Sequence, residues 1–218
     1  MTISFFKLNK PTLQYTISVL AACLAAVGVA ARLLQFIQTG ELQALFISAF
    51  YFLLLRAFIS RPPSRSEATG WKNWALALGG TWLQLLVVTT PRDNPMFTYL
   101  NHNPELVLVG NTLMMMGLVL MTIVLAQLGN GFGIIAALRE VKTEGAYRWV
   151  RHPLYTVELI CFAGIILTAL SPWNVMIFAM SLCFQFLRAL REEEILVQDA
   201  DYAQYMQQVK YRFLPQLF

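Results

Sequence analysis

The feature that most restricts this 218-residue chain is the length of its apolar stretches. About 20 apolar residues in a helix cross the hydrocarbon of a bilayer. The sequence offers that length at residues 12–38, 41–60, 72–90 and 104–128, and then runs apolar from 154 to 190. The last region is too long for one span. It is interrupted by "SPWN" at 171–174, where Pro172 with Ser171 and Asn174 reads as a turn. The region is therefore expected to be a helical hairpin. Composition agrees, with 57% hydrophobic residues, 13% charged residues and a mean hydropathy of +0.56, against about 25% charged residues in a soluble domain. The expected fold is all-α, a polytopic transmembrane helical bundle of about six spans forming a single membrane domain.

The basic residues set the expected orientation. Lys7 and Lys10 precede the first span. Arg56, Arg61, Arg65 and Lys72 flank the second connection, and Arg139, Lys142, Arg148 and Arg151 fill the fourth. Arg188, Arg191, Lys210 and Arg212 follow the last apolar segment. Of the 16 Lys and Arg residues, only Arg32 and Arg92 fall on the other side. The positive-inside rule makes the basic side cytoplasmic. With six spans both termini lie there, in a bacterial-type inner membrane. The net charge of +4 arises from this bias. It is dispersed over short loops, which argues against a nucleic-acid surface. The first apolar run, with "GVAA" at 28–31, imitates a secretory signal, but it continues through "LLQFI" and reads as a retained signal-anchor helix.

Several chemistries find no support. Cys23, Cys161 and Cys183 lie in apolar segments without paired spacing and read as small buried residues. The two histidines, His102 and His152, belong to no His/Cys/carboxylate group with metal-ligand spacing, so no metal is expected. There is no P-loop and no GxSxG elbow.

The residues that ask for explanation cluster in the last part of the chain. "LGNGFGII" at 128–135 carries Gly129, Gly131 and Gly133. These read either as a helix stop or as a close backbone approach to a ligand. "YRWVRHPLYTVEL" at 147–159 sets charge beside hydrocarbon, which is expensive and points to function. Pro153 suits a first helical turn and biases His152 away from helical dihedrals. The free N–H groups of that turn suit an anion, and Arg151 offers a planar fork for a carboxylate. Tyr147 and Trp149 offer aromatic faces for a cation. A basic-aromatic belt meeting lipid headgroups is the alternative. In "FLRALREEEIL", 186–196, Arg188, Arg191 and Glu192 share a helix face, and at least one of Glu192, Glu193 and Glu194 should face the bundle. Glu158 follows one turn after Tyr155 within an apolar helix, as a pocket-lining acid or a snorkelling one.

"EGAYRWVRHPLY", then "RALREEEIL" about 35 residues on, then "YAQYMQQVKYRFLP", resembles the isoprenylcysteine carboxyl methyltransferase and phospholipid methyltransferase superfamily of integral membrane enzymes. The resemblance covers roughly residues 128–218. It implies methyl transfer from S-adenosyl-L-methionine, bound in a pocket at the cytoplasmic face built from the C-terminal helices and loops. It divides the chain into N-terminal helices for substrate access, 1–127, and a catalytic region, 128–218. Carried over, the cofactor positions are Tyr147, Arg151, His152, Pro153, Leu154 and Tyr155, the loop from Arg139 to Lys142, the Gly129-x-Gly131 element and the acidic Glu193. Arg188 and Glu192 match the pair at the methyl-acceptor site. The partners implied are a lipophilic acceptor and membrane lipids.

The residue chemistry fits a carboxylate-bearing sulfonium cofactor. A carboxylate acceptor would need only orientation by Arg188. An amine, thiol or hydroxyl would need a base, for which Glu192 is the candidate. A prenylcysteine, a phospholipid amine, a small thiol and an isoprenoid acid all remain open as acceptors. Two other readings compete. One is an NADPH-dependent reductase of the sterol-reductase type, whose cofactor asks for more Arg and Lys. The other is a transporter or scaffold; a transporter would place polar residues at mid-membrane, whereas Gln84, Asn111, Gln127 and Gln185 are scattered and fit helix–helix hydrogen bonds.

Overall fold

A computed structural model describes residues 10–60, 66–67, 71–87, 103–132, 137–138 and 141–216. Gly133, Arg139 and the segment around Arg92 and His102 lie outside the described residues. Among the described residues six helices stand where six apolar segments were expected: α1 (Lys10–Thr39), α2 (Leu42–Ile59), α3 (Trp71–Trp82), α4 (Pro104–Leu128), α5 (Pro153–Thr168) and α6 (Pro172–Leu196). A short polar helix, α7 (Ala200–Gln208), follows. Among the described residues four helices have the length and apolarity to cross a membrane: Ser18–Thr39 within α1, α2, α4 and α6. α5, with 16 residues, is shorter. α3 has 12 and continues as a single 3-10 turn, Leu83–Leu86. Among the described residues β1 (Ser66–Glu67) pairs antiparallel with β2 (Ala137–Leu138), two residues each.

The chain divides into two compact units, 1–61 and 62–218. The first contains α1 and α2 as an antiparallel pair. Gly40, at φ 70, turns the chain between them. At the same end Arg32 donates to Gln35 (2.7 Å), which in turn donates to Glu41 (2.9 Å). Gly28 lets Tyr51 lie against α1, where a Cβ would stand 2.8 Å from the ring.

The second unit is organised by α4 and α5, which pack backbone to backbone. A Cβ on Gly164 would come within 2.6 Å of the Gly110 carbonyl oxygen and would also strike the Met114 backbone. Without a hydrophobic drive between helices in lipid, such small residues let helices associate by close packing. α6 joins through Phe162, Ile166 and Ile177, with Leu83 and Val87 from the end of α3 packed on them.

Helix starts follow from local chemistry. Asn103 caps α4, accepting from the N–H groups of Glu105 and Leu106, with Pro104 in the first turn. "SPWN" is not the turn expected. The chain reverses at 169–171, and Ser171 caps α6 by accepting from the Asn174 N–H at 3.1 Å. Pro172 fits both roles, because a proline in a first helical turn has no N–H to lose. The cysteine expectation fails in part. Cys23 and Cys183 are exposed on the outer surfaces of their helices, and Cys161 is half-buried. A thiol behaves as a small apolar group, so a lipid-facing position suits it as well as a core.

α5 starts at Pro153, as the His152-Pro153 pair predicts. With about 1.5 Å of rise per residue, Arg188 on the longer α6 comes level with the start of α5. The consequence is a cluster of charge at one end of the hairpin.

Candidate functional site

The site is built on Glu193, buried near the end of α6. Its carboxylate meets Arg151 Nε at 3.1 Å and His152 Nε2 at 3.2 Å on one oxygen, and accepts from Arg212 Nε at 2.9 Å on the other. The Glu193 and Arg151 side chains are each only 6% exposed. The adjacent Glu192 accepts from the Tyr155 hydroxyl and pairs with Arg188 Nε at 3.3 Å. It also lies 3.8 Å from His152 Nδ1. The Arg188 guanidinium sits over the Tyr155 ring, 4.9 Å from its centroid. The His152 ring stacks on the same tyrosine, 5.5 Å between centroids and 3° from parallel. Two carboxylates from one helix thus grip two rings and two guanidinium groups from the start of another and from the chain beyond α7.

The segment 147–152 is held from behind. The Arg151 N–H donates to the Tyr211 carbonyl (2.9 Å) and the His152 N–H to that of Arg212 (2.8 Å), so residues 211–213 lie along it as a strap. Thr156 Oγ1 donates to Phe213 O at 2.9 Å. The Tyr205 hydroxyl on α7 donates to Tyr147 O at 2.6 Å. Asp199 caps α7 by accepting from Asp201 and Tyr202 N–H groups. Tyr202, Tyr205 and Val209 form a small core with Val141 and Leu196 beneath.

The expected residues divide. Arg151, His152, Tyr155, Arg188, Glu192 and Glu193 come together directly. Pro153 is buried as the first residue of α5. Tyr147 and Leu154 pack into an apolar cluster with Val124 and Val157. Burial, and then the neighbouring Tyr205 and Glu192, push the Tyr147 phenol far above its ordinary value. Gly129, at φ 53, closes α4 with its N–H on Leu125 O, and Gly131 ends the short 3-10 turn that follows. Helix termination accounts for their geometry. Arg191 is not on the face of Arg188 and Glu192, as expected, but points outward to Glu194, both more than half exposed. Two of the three glutamates, Glu192 and Glu193, turn inward. Trp149 is 58% exposed under the Arg148 guanidinium and stands apart from the cluster.

Two residues had no place in the reading of the residues themselves, Tyr202 and Tyr205, and Arg212 was read only for its charge. The signal of the two tyrosines was available as aromatic residues three apart on a short polar helix, where burial of one face is expected. The Tyr202 hydroxyl is buried without a hydrogen-bond partner.

Residues 106–203 match the phospholipid methyltransferase family model. This region of the chain, just under half of it, is therefore similar to phospholipid methyltransferases. It takes in α4 from Leu106, α5, α6 and the first turn of α7, and so every residue of the Glu192 and Glu193 clusters except Arg212. No curated protein matches the chain.

Proposed function

We propose that the protein transfers a methyl group from S-adenosyl-L-methionine to a lipophilic acceptor in the bilayer, with residues 128–218 as the catalytic region and the helices of 1–127 serving acceptor access. The observation that carries this is the donor set around Glu193. Arg151 and Arg212 outnumber the single carboxylate between them. A buried Tyr202 hydroxyl still lacks a hydrogen-bond partner. Buried polar groups are rarely left so. The surplus positive charge and the idle hydroxyl suit the carboxylate of an amino-acid-bearing cofactor.

When bound, this cofactor supplies an electrophilic methyl on a sulfonium. The chain's own residues do the rest. Arg151, His152 and the first turn of α5 hold the carboxylate. Glu193 orients Arg151 and His152 and offers an oxygen to an amine. Pro153 and Leu154 fix the wall behind them, and Tyr147 supports it from the α4 side. Tyr155 presents a ring face that favours a cation. Gly129 and Gly131 form the loop edge nearest α4. On the acceptor side Arg188 orients an anionic acceptor, and Glu192 accepts a proton from an amine, thiol or hydroxyl. Alignment and exclusion of water account for most of the rate in such a displacement. The basic residues at this end of the helices favour a cytoplasmic site.

The test is titration calorimetry of the full chain in nanodiscs. S-adenosylmethionine and its demethylated product should bind saturably, and His152→Ala should abolish binding while the protein stays folded. Glu192→Gln should spare binding and lower turnover. Binding of NADPH in place of both would overturn the reading.

A further inference from the structure

A second polar system lies below the first, inside the apolar part of the helices. Ser181, Gln185, Arg188 and Glu192 follow one another on α6 at spacings that keep them on one inward face. Ser181 and Gln185 are fully buried, at 0% exposure. Opposite them is Glu158, one turn further along α5 than Tyr155. Its carboxylate accepts from Gln84 Nε2 at 2.7 Å and from Gln185 Nε2 at 2.8 Å. The Gln185 amide nitrogen also lies 3.4 Å from Gly80 O. Beside it Arg188 Nη1 donates to Thr81 Oγ1 at 3.2 Å. Three helical segments thus send polar side chains to one point at membrane depth.

The count of donors and acceptors at that point is lopsided. Gln185 Nε2 spends its two N–H groups on Glu158 and Gly80 O, and Gln84 Nε2 spends one of its two on Glu158. Gln185 Oε1 and Ser181 Oγ have no hydrogen-bond partner. A carboxylate has about four lone-pair directions, of which the two glutamines occupy two. Most of the spare capacity is therefore for accepting. Gly80 lies beside it: a Cβ there would stand 3.4 Å from Gln185 Oε1 and 3.5 Å from Arg188 Cδ, at ordinary contact distance. Arg188, the nearest cation, pairs with Glu192 and donates to Thr81, and its charge also acts on Glu158. An acid at this depth is costly, and this one cation is shared between two carboxylates.

We propose that Glu158, with Gln185 Oε1 and Ser181 Oγ, is a subsite that reads a hydrogen-bond-donating group, an amine or a hydroxyl, on the membrane-embedded acceptor. The subsite lies one helical turn deeper than Tyr155 and Glu192. It therefore recognises the acceptor next to the reacting atom and rejects one whose only polar group is a carboxylate. This rests on the methyltransferase reading only in taking that ligand to be the acceptor.

The experiment uses the full chain in phosphatidylglycerol nanodiscs and three photoreactive probes of equal chain length: an alkylamine, an alkanol and an alkanoate. Cross-linked peptides are mapped by mass spectrometry, and binding of S-adenosylhomocysteine is measured on the same samples. Amine and alkanol should label the α5 and α6 peptides saturably, and the alkanoate about tenfold less, the scale of one charge-assisted hydrogen bond. Glu158→Leu should remove the preference for both donors. Glu158→Gln, which keeps the shape should the leucine variant not fold, should remove at least the preference for the amine over the alkanoate. Loss of the amine preference alone identifies an amine subsite, and loss of both a shared one. Equal labelling by all three probes, no saturable labelling, or an amine preference unchanged in Glu158→Gln would overturn the subsite. Cofactor binding without selective labelling sinks this inference alone. Selective labelling without cofactor binding sinks the methyltransferase reading and leaves the subsite.

Discussion

Removing the Glu193 carboxylate tests the electrostatic core of the site. In Glu193→Met the volume stays similar and the charge goes. Arg151, with 6% of its side chain exposed, is then left in a closed environment without its carboxylate. Stranding one member of a buried pair costs about 3–5 kcal/mol. Arg212, 30% exposed, can turn to water, so its lost contact adds at most about 1 kcal/mol. The expected loss is about 4 kcal/mol. Arg151→Met should cost less, because Glu193 keeps Arg212 and His152. The double variant should then be more stable than Glu193→Met alone, since it removes the stranded charge together with its partner. Reversible unfolding of the purified protein in mixed detergent micelles measures all three. A double variant less stable than Glu193→Met, or a cost for Glu193→Met below about 1 kcal/mol, would mean that Arg151 reaches water and that the cluster is a surface one.

Gly164→Val should destabilise the second unit by at least about 1–3 kcal/mol by overpacking, because the new side chain meets the Gly110 oxygen and the Met114 backbone. A thermal unfolding curve in detergent unchanged from the parent would refute so close a seam. The phenols of Tyr147, Tyr202 and Tyr205 are all pushed up, in each case first by burial. Their contribution to stability is complete below the unfolded phenol value of about 10 and is lost as pH rises above it. An alkaline titration should therefore show no phenolate from these three until the protein unfolds. Early ionisation in folded protein would refute their burial.

Much of the helical layout was legible in the sequence because hydrocarbon thickness fixes length. The expected segment at 104–128 is α4 to the residue, and His152-Pro153 marked the start of α5 through proline's missing N–H. What misled at "SPWN" was that serine and proline serve a turn and a helix start alike, and only the cap geometry separates them. Arg191 was misassigned because spacing of three or four residues admits a face wide enough for either Arg188 or Arg191. Packing decided for Arg188. The meeting of His152 with Glu193 spans 41 positions and is invisible to periodicity. It was suggested only by the resemblance, as were the roles given to these residues. Gln84 and Gln185 were read as helix–helix hydrogen bonds. They make them, and the shared partner, Glu158, was the part that no local pattern could name.

The shortness of α5 has a consequence for the bilayer itself. Its 16 residues reach about 24 Å, whereas the hydrocarbon core is about 30 Å thick. A polar cluster at one end of so short a helix draws the headgroup layer inward around it, at a cost of fractions of a kcal/mol per Å. Lipid headgroups next to α5 then lie at the depth of Tyr155 and Glu192. Under the proposed methyl transfer, an acceptor would reach the site by lateral diffusion, without lifting its chain out of the membrane. Turnover in nanodiscs should accordingly fall as the acyl chains of the host lipid lengthen, because each added methylene raises the mismatch that the protein must hold open.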